Sequence, residues 1–178
     1  MTPEAIKALV RTIPDFPAEG IQFRDITTLI AHGEGFAASI AWLADRAREA
    51  QAEAIAGMEA RGFIFGASVA ARLGIGFIPI RKPGKLPCKT IGVDYALEYG
   101  SDRLEMDPDA VHAGQRVAIV DDLLATGGTA LAATELLRQA GAQVDHAAFA
   151  IDLPDLGGGA ALAQAGITVH ALMEFEGD

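Results

Sequence analysis

Residues 117–140, VAIVDDLLATGGTALAATELLRQA, constrain the fold more than any other stretch of the chain. Val117 to Val120 are apolar and rich in β-branched side chains, and the run is too short for a helix, so with Arg116 and Asp121 they read as a buried strand. Two aspartates, Asp121 and Asp122, close it. A loop of small residues, Ala125-Thr126-Gly127-Gly128-Thr129, then opens a helix that runs from Thr129 to Ala140 and stops at Gly141. A strand that passes through a glycine loop into a helix is half of a βαβ unit. Such units demand a mainly parallel sheet with helices across its faces.

The rest of the chain repeats the alternation. Thr2-Pro3-Glu4 supplies an N-cap, a proline at the first helical position and early negative charge, which starts a short helix through Arg11. The stretch from Ile13 to Thr28 reads as loop and short strand. Phe36, Ile40, Leu43 and Ala47 recur at helical spacing within a helix over Gly35 to Gln51. Ala54–Gly57 and Gly76–Arg81 read as strands, with a helix over Phe63–Leu73 between them. Thr90–Met106 holds two β-type runs broken at Gly100-Ser101, a hairpin or flap. A strand over Gln143–Ile151, a helix over Asp155–Ala165 and a strand over Ile167–Met173 complete the chain. The sequence is therefore α/β, and in such sheets ligands lie beyond the carboxyl ends of the strands.

Composition narrows the partners. The chain has 178 residues, one domain's length, and 51% of them are hydrophobic, which excludes a disordered tail protein. A net charge of −10 argues against binding nucleic acid or an anionic membrane surface. Yet Lys82, Lys85 and Lys89, three of the four lysines, crowd beside Arg81. An acidic protein that gathers its lysines in one loop is set up to hold a small anion there. The single cysteine, Cys88, forbids an intramolecular disulfide and any multi-cysteine zinc site. The histidines show no ligand spacing. No signal segment or long apolar run is found, so the chain is expected in the cytoplasm.

The chemistry concentrates at the Val117–Thr129 string. Two glycines let backbone N–H groups turn toward an anion, Thr126 and Thr129 add hydroxyls, and the following helix points its positive end at the same place. The loop lacks the lysine of an ATP-type loop and is not GxGxxG. Adjacent carboxylates beside a phosphate repel it unless a sugar's hydroxyls, or a metal, lie between. Because neighbouring strand residues point to opposite faces, one aspartate is expected to face the ligand and the other to support the loop.

This string is similar to the diphosphoribose-binding signature of type I phosphoribosyltransferases. Further segments resemble the adenine branch of that family: IPDFPAEGIQFRDITTL (13–29), ARGFIFG (60–66), RKPGKLP (81–87) and YALEYGSDRLEM (95–106). The resemblance implies the type I phosphoribosyltransferase fold over 1–178, a mainly parallel twisted sheet flanked by helices. An N-terminal hood occupies about 1–33 and a flexible β flap about 82–106. It implies transfer of a phosphoribosyl group from 5-phosphoribosyl 1-diphosphate to adenine, giving AMP and diphosphate, with Mg2+ carried mainly by the diphosphate and a homodimer as the working unit.

Residue by residue, the resemblance implies that Asp121, Asp122, Ala125, Thr126, Gly127, Gly128 and Thr129 take the ribose and its 5′-phosphate. Arg61 and Gly62, in a turn of unusual backbone geometry, take the diphosphate with Arg81, Lys82 and Lys85. Gln22, Phe23, Arg24 and Leu123 take adenine, and Glu98 on the flap is the catalytic residue. Cys88 and Tyr99 are assigned nothing. Two alternatives stay open: a related enzyme for another base, and a regulator that uses this fold to sense the ribosyl diphosphate. The regulator needs a DNA-binding element or a basic face, which the acidic chain is not expected to have.

Overall fold

The computed structural model describes residues 1–96 and 100–177. In chain order the elements begin with α1 (Pro3–Lys7), β1 (Arg11–Pro14), β2 (Gln22–Asp25), α2 (Thr27–Ala31) and α3 (Gly33–Glu49). Then come β3 (Ala54–Met58), α4 (Arg61–Leu73), β4 (Gly76–Ile80), β5 (Ile91–Ala96) and β6 (Ser101–Met106). The chain ends with β7 (Val117–Leu124), α5 (Gly128–Gln139), β8 (His146–Asp152), α6 (Gly158–Gln164) and β9 (Thr168–Glu174).

Five strands form one parallel sheet in the order β4-β3-β7-β8-β9. Alternation along the strands divides its faces. Ile55, Ala118, Val120 and Ala148 pack with Leu43, Ala47, Phe65 and Val69 of α3 and α4. Ala56, Ile119, Ala147 and Phe149 pack with Ala133, Leu136 and Leu137 of α5. Leu136 and Leu137 are fully buried, and truncating either to alanine costs roughly 2–5 kcal/mol. Two antiparallel pairs stand outside the sheet. β1 pairs with β2 through Arg11↔Asp25 to Pro14↔Gln22, and β5 with β6 through Ile91↔Met106 to Ala96↔Ser101.

Several boundaries differ from the sequence reading. α1 stops at Lys7 because Arg11 is drawn into the ladder with β2. Thr27–Ala31 is helical, and α4 starts at Arg61, two residues early. β7 runs on to Leu124, since β8 continues to pair with it through Leu124↔Asp152. Pro154–Leu156 form only a 3-10 turn, and the helix waits until Gly158.

The strand order places the site. β3 and β7 lie side by side, but the chain leaves β3 toward β4 on one flank and leaves β7 toward β8 on the other. That is the reversal point where open α/β sheets form a crevice. Pairing between β3 and β7 is confined to Ala54–Ala56 with Val117–Ile119. Beyond those residues the two strands part, and the crevice opens at their carboxyl ends.

Candidate functional site

A cavity of about 260 Å³ fills that crevice. One wall is the β3–α4 turn, with Met58, Glu59, Arg61 and Gly62; the other is the end of β7 and the loop into α5, from Asp121 through Ala130. The structure thus brings together Arg61, Gly62, Asp121, Asp122, Leu123, Ala125, Thr126, Gly127, Gly128 and Thr129.

Both aspartates line this cavity, contrary to the expectation that only one would. Asp121 and Asp122 are 8% and 4% exposed. Asp121 Oδ1 accepts the Asp122 N–H at 2.8 Å, and Asp122 Oδ2 lies 2.8 Å from Arg61 Nε. That second contact is out of line for a hydrogen bond, so among the described residues Asp122 Oδ2 is a buried acceptor without a donor. The pair shares one site because Gly62 lets it. A Cβ on Gly62 would stand 2.4 Å from Asp121 Oδ1, a clash only glycine avoids. Burial pushes the Asp121 carboxyl well above its ordinary value, and the charge of Asp122 pushes it further. Burial also raises Asp122, with Arg61 opposing. A buried acid pair that a single guanidinium compensates is suited to a ligand that brings hydroxyl donors.

The Ala125–Thr129 loop, expected to take phosphate, is held from behind. Gly158, at the start of α6, donates its N–H to the Ala125 carbonyl at 3.0 Å, and a Cβ on Gly158 would sit 2.3 Å from that oxygen. The triple glycine 157–159 is therefore an abutment for the loop. Among the described residues no side chain caps α5, so its first-turn N–H groups are left to a ligand or to water. A non-proline cis peptide joins Glu59 to Ala60, immediately before Arg61.

The remaining candidates lie around the cavity, outside its wall. Arg81 reaches Glu59 Oε2 at 3.5 Å and donates to the Lys85 carbonyl at 3.2 Å. Lys82 donates its backbone N–H to Glu59 Oε1, and its ammonium pairs with Asp102 on β6. Phe23 packs edge-on against Phe16 at 5.1 Å, and its ring lies 6.0 Å from the Arg61 guanidinium. Gln22 sits in the β1–β2 ladder opposite Pro14. Arg24, expected at the base, lies outside the cavity wall. It donates to Thr12 Oγ1 at 2.7 Å and to the Glu176 carbonyl at 2.9 Å, over the ring of Phe175. Those partners hold the guanidinium on the C-terminal segment. Glu98 and Tyr99 fall outside the described residues.

Glu59 lies in the segment just past a strand end where the sequence reading looks for ligands, but it is given no role there. It lines the cavity while gripping both Arg81 and the Lys82 N–H, and a lone acid before Ala60-Arg61-Gly62 gave no periodic signal. Phe149 on the cavity wall lies within the strand read over Gln143–Ile151, and Met58, read as the residue just past the strand Ala54–Gly57, is the last residue of β3.

A parallel sheet with a phosphate loop and a buried acid pair at its reversal point defines a phosphoribosyltransferase architecture. The family model for the phosphoribosyl transferase domain matches residues 25–157. Adenine phosphoribosyltransferases of Erythrobacter litoralis and Novosphingobium aromaticivorans are 72% and 71% identical, each alignment covering 99% of both chains. The crystal structure of the Thermoanaerobacter pseudethanolicus adenine phosphoribosyltransferase superposes with a TM-score of 0.92 at 48% identity, over 98% of this chain and 100% of that one. The Saccharomyces cerevisiae enzyme, solved with an imino-altritol bisphosphate and adenine, gives 0.88 at 38% identity, over 96% of this chain and 98% of that one. The chain belongs to the adenine phosphoribosyltransferase family.

Proposed function

We propose that the chain transfers the phosphoribosyl group of 5-phosphoribosyl 1-diphosphate to adenine, giving AMP and diphosphate in purine salvage. The observation that carries this reading is the buried Asp121–Asp122 pair beside the uncapped start of α5 in one cavity. Acids alone would repel a phosphate, and a phosphate loop alone needs no acids. A sugar phosphate uses both, with hydroxyls donating to the carboxylates and the 5′-phosphate accepting from the Ala125–Thr129 loop.

In the reaction, adenine N9 bonds to C1′ as the bond from C1′ to the diphosphate oxygen breaks, and adenine gives up one ring proton. The sugar passes through a cation-like state, so negative charge must be stabilised on the leaving group and water kept out. Arg61 and the Gly62 peptide face the leaving group, and Arg81, Lys82 and Lys85 add charge from the segment after β4. Magnesium fits a cavity whose wall carries two buried carboxylates, Asp121 and Asp122, against one guanidinium, Arg61. It would be held mainly by the diphosphate and ribose hydroxyls, near Asp121 and Asp122, and it supplies charge neutralisation to the leaving group. Phe23 and Leu123 pack the base, and the backbone at Gln22 reads its edge. Arg24 steadies β2 against the C-terminal segment. Glu98 takes or shares the proton at N7.

In this reading residues 1–178 are one domain, with a hood over about 1–33 and a flap over about 82–106. The domain works as a homodimer in the cytoplasm. Among the described residues no helix is long and apolar enough to cross a membrane.

Turnover of adenine, hypoxanthine, guanine, xanthine, orotate and uracil with the ribosyl diphosphate and magnesium tests the reading. A pocket that hydrogen-bonds the 6-amino group leaves polar groups unpaired on a 6-oxo base, so adenine should be preferred by ~10⁴-fold. Comparable turnover of hypoxanthine would overturn the adenine assignment.

A further inference from the structure

Lys82 stands two residues beyond β4, with its backbone N–H on Glu59 at the cavity wall. Its ammonium is not free. It is paired with Asp102 Oδ2 on β6, and the Tyr95 hydroxyl on β5, directly across the ladder, donates to the same oxygen at 3.3 Å. Asp102 Oδ1 accepts the Arg103 N–H at 2.8 Å. The pairing is strong enough to raise the Lys82 ammonium and lower the Asp102 carboxyl from their ordinary values, each chiefly through the other. The cluster also stands beside the phosphate loop, close enough that a Cβ added at Gly128 would lie 3.9 Å from Tyr95 Cδ2. Lys82 is thus held between the two rims of the cavity, its charge already neutralised.

We propose that Asp102 is an affinity-setting residue that competes with diphosphate for Lys82. This rests on the reading that Lys82 serves the leaving group. Diphosphate carries several negative charges and outbids one carboxylate. The exchange costs little, because Asp102 keeps the Tyr95 hydroxyl and the Arg103 N–H when the ammonium departs. The side chains of Lys82 and Asp102 are 47% and 21% exposed, and pairs this accessible to water shift an equilibrium by at most about fivefold. Asp102 therefore trims the affinity for diphosphate. As product leaves, it recaptures the lysine and eases a release step of the kind that often limits turnover.

Titration calorimetry of inorganic diphosphate, with magnesium, into wild type, Asp102→Asn, Lys82→Met and the double variant decides the matter, with AMP as the control ligand. Asp102→Asn should bind diphosphate roughly two- to fivefold more tightly and AMP unchanged, while Lys82→Met weakens diphosphate. The double variant should match Lys82→Met alone. Asp102→Ser, which cannot reach the ammonium, must show the same pattern as Asp102→Asn. The proposal is overturned if Asp102→Asn leaves diphosphate affinity unchanged or weaker. It is equally overturned if the gain persists without Lys82, since a general charge effect would then explain it. Equal diphosphate affinity in wild type and Lys82→Met overturns the underlying reading of Lys82, a failure visible without either Asp102 variant.

Discussion

Asp121 is kept at a cost to the fold. Its carboxyl has a raised pKa, so the folded chain holds a proton that the unfolded chain releases as pH climbs past the ordinary value of 3.8. Stability therefore drains away with rising pH until the raised pKa is passed. Asp121→Asn keeps the acceptor for the Asp122 N–H and removes the buried charge. It should gain about 1–2 kcal/mol at pH 8, or ~3–6 °C in Tm, with the gain shrinking toward pH 4. AMP affinity should fall in the same variant, and a variant that is neither more stable nor weaker in binding contradicts this account. In the proposed reading Glu98 is the other kind of functional residue, one needed for rate. Glu98→Leu should slow the single-turnover rate by ~10²–10⁴-fold with AMP affinity nearly unchanged. An unaltered single-turnover rate would overturn the catalytic assignment of Glu98.

Among the elements, the β1–β2 pair stands apart from the five-stranded sheet, and a ladder of four residue pairs is marginal by itself. Asp25 is its anchor. It accepts the Thr27 hydroxyl and N–H at 2.7 and 2.9 Å and pairs with Arg11. These contacts, the Thr27 bonds foremost, hold its carboxyl down to about 2. A depressed acid stabilises the fold above its unfolded value of 3.8 and loses that contribution as pH falls through about 2. Asp25→Asn should cost roughly 1–3 kcal/mol at pH 7 in urea unfolding, with the difference from wild type narrowing from pH 5 toward pH 2. A deficit independent of pH would assign the loss to packing. This corner was opaque in the sequence. Ile13–Thr28 read as loop and short strand because its register and the short α2 are set by Asp25, Thr27 and Arg11 meeting across the chain, which no periodicity announces. The sheet strands and α3, α4 and α5 were legible, since apolar period and glycine stops mark them locally. The β3–α4 turn and the β7–α5 loop were legible for the same reason, as residues just past strand ends. That both aspartates face one cavity was not legible, because alternation along a strand assigns them opposite sides and only the close approach of Gly62 reveals otherwise.

At the scale of the molecule, the site is assembled from two βα turns that few backbone bonds hold together. β3 and β7 pair only through Ala54–Ala56 and Val117–Ile119, and past those residues they are linked by the contact of Arg61 with Asp122 and the close approach of Gly62 to Asp121. A nucleotide that meets the Ala125–Thr129 loop with its phosphate and the acid pair with its ribose ties the parted ends together. Binding to the folded state alone stabilises it by mass action, about 2.7 kcal/mol at a ligand concentration one hundred times Kd. For a chain of this length that corresponds to a rise in Tm of ~5–10 °C with AMP. Gly128→Val gives the control. Among the described residues the nearest atoms to a Cβ at 128 belong to Ala96, Tyr95 and Thr126, at 3.8–4.0 Å, so the fold tolerates it while the branched side chain fills the approach to the loop. The same change at Gly127 would be confounded, with φ at +84° and the Gly158 backbone 3.1 Å from a Cβ. Gly128→Val should therefore melt within ~2 °C of wild type without ligand and lose most of the AMP-induced rise, together with affinity for the ribosyl diphosphate. If the variant keeps the full rise, the 5′-phosphate is bound elsewhere and the two turns are not joined by the nucleotide.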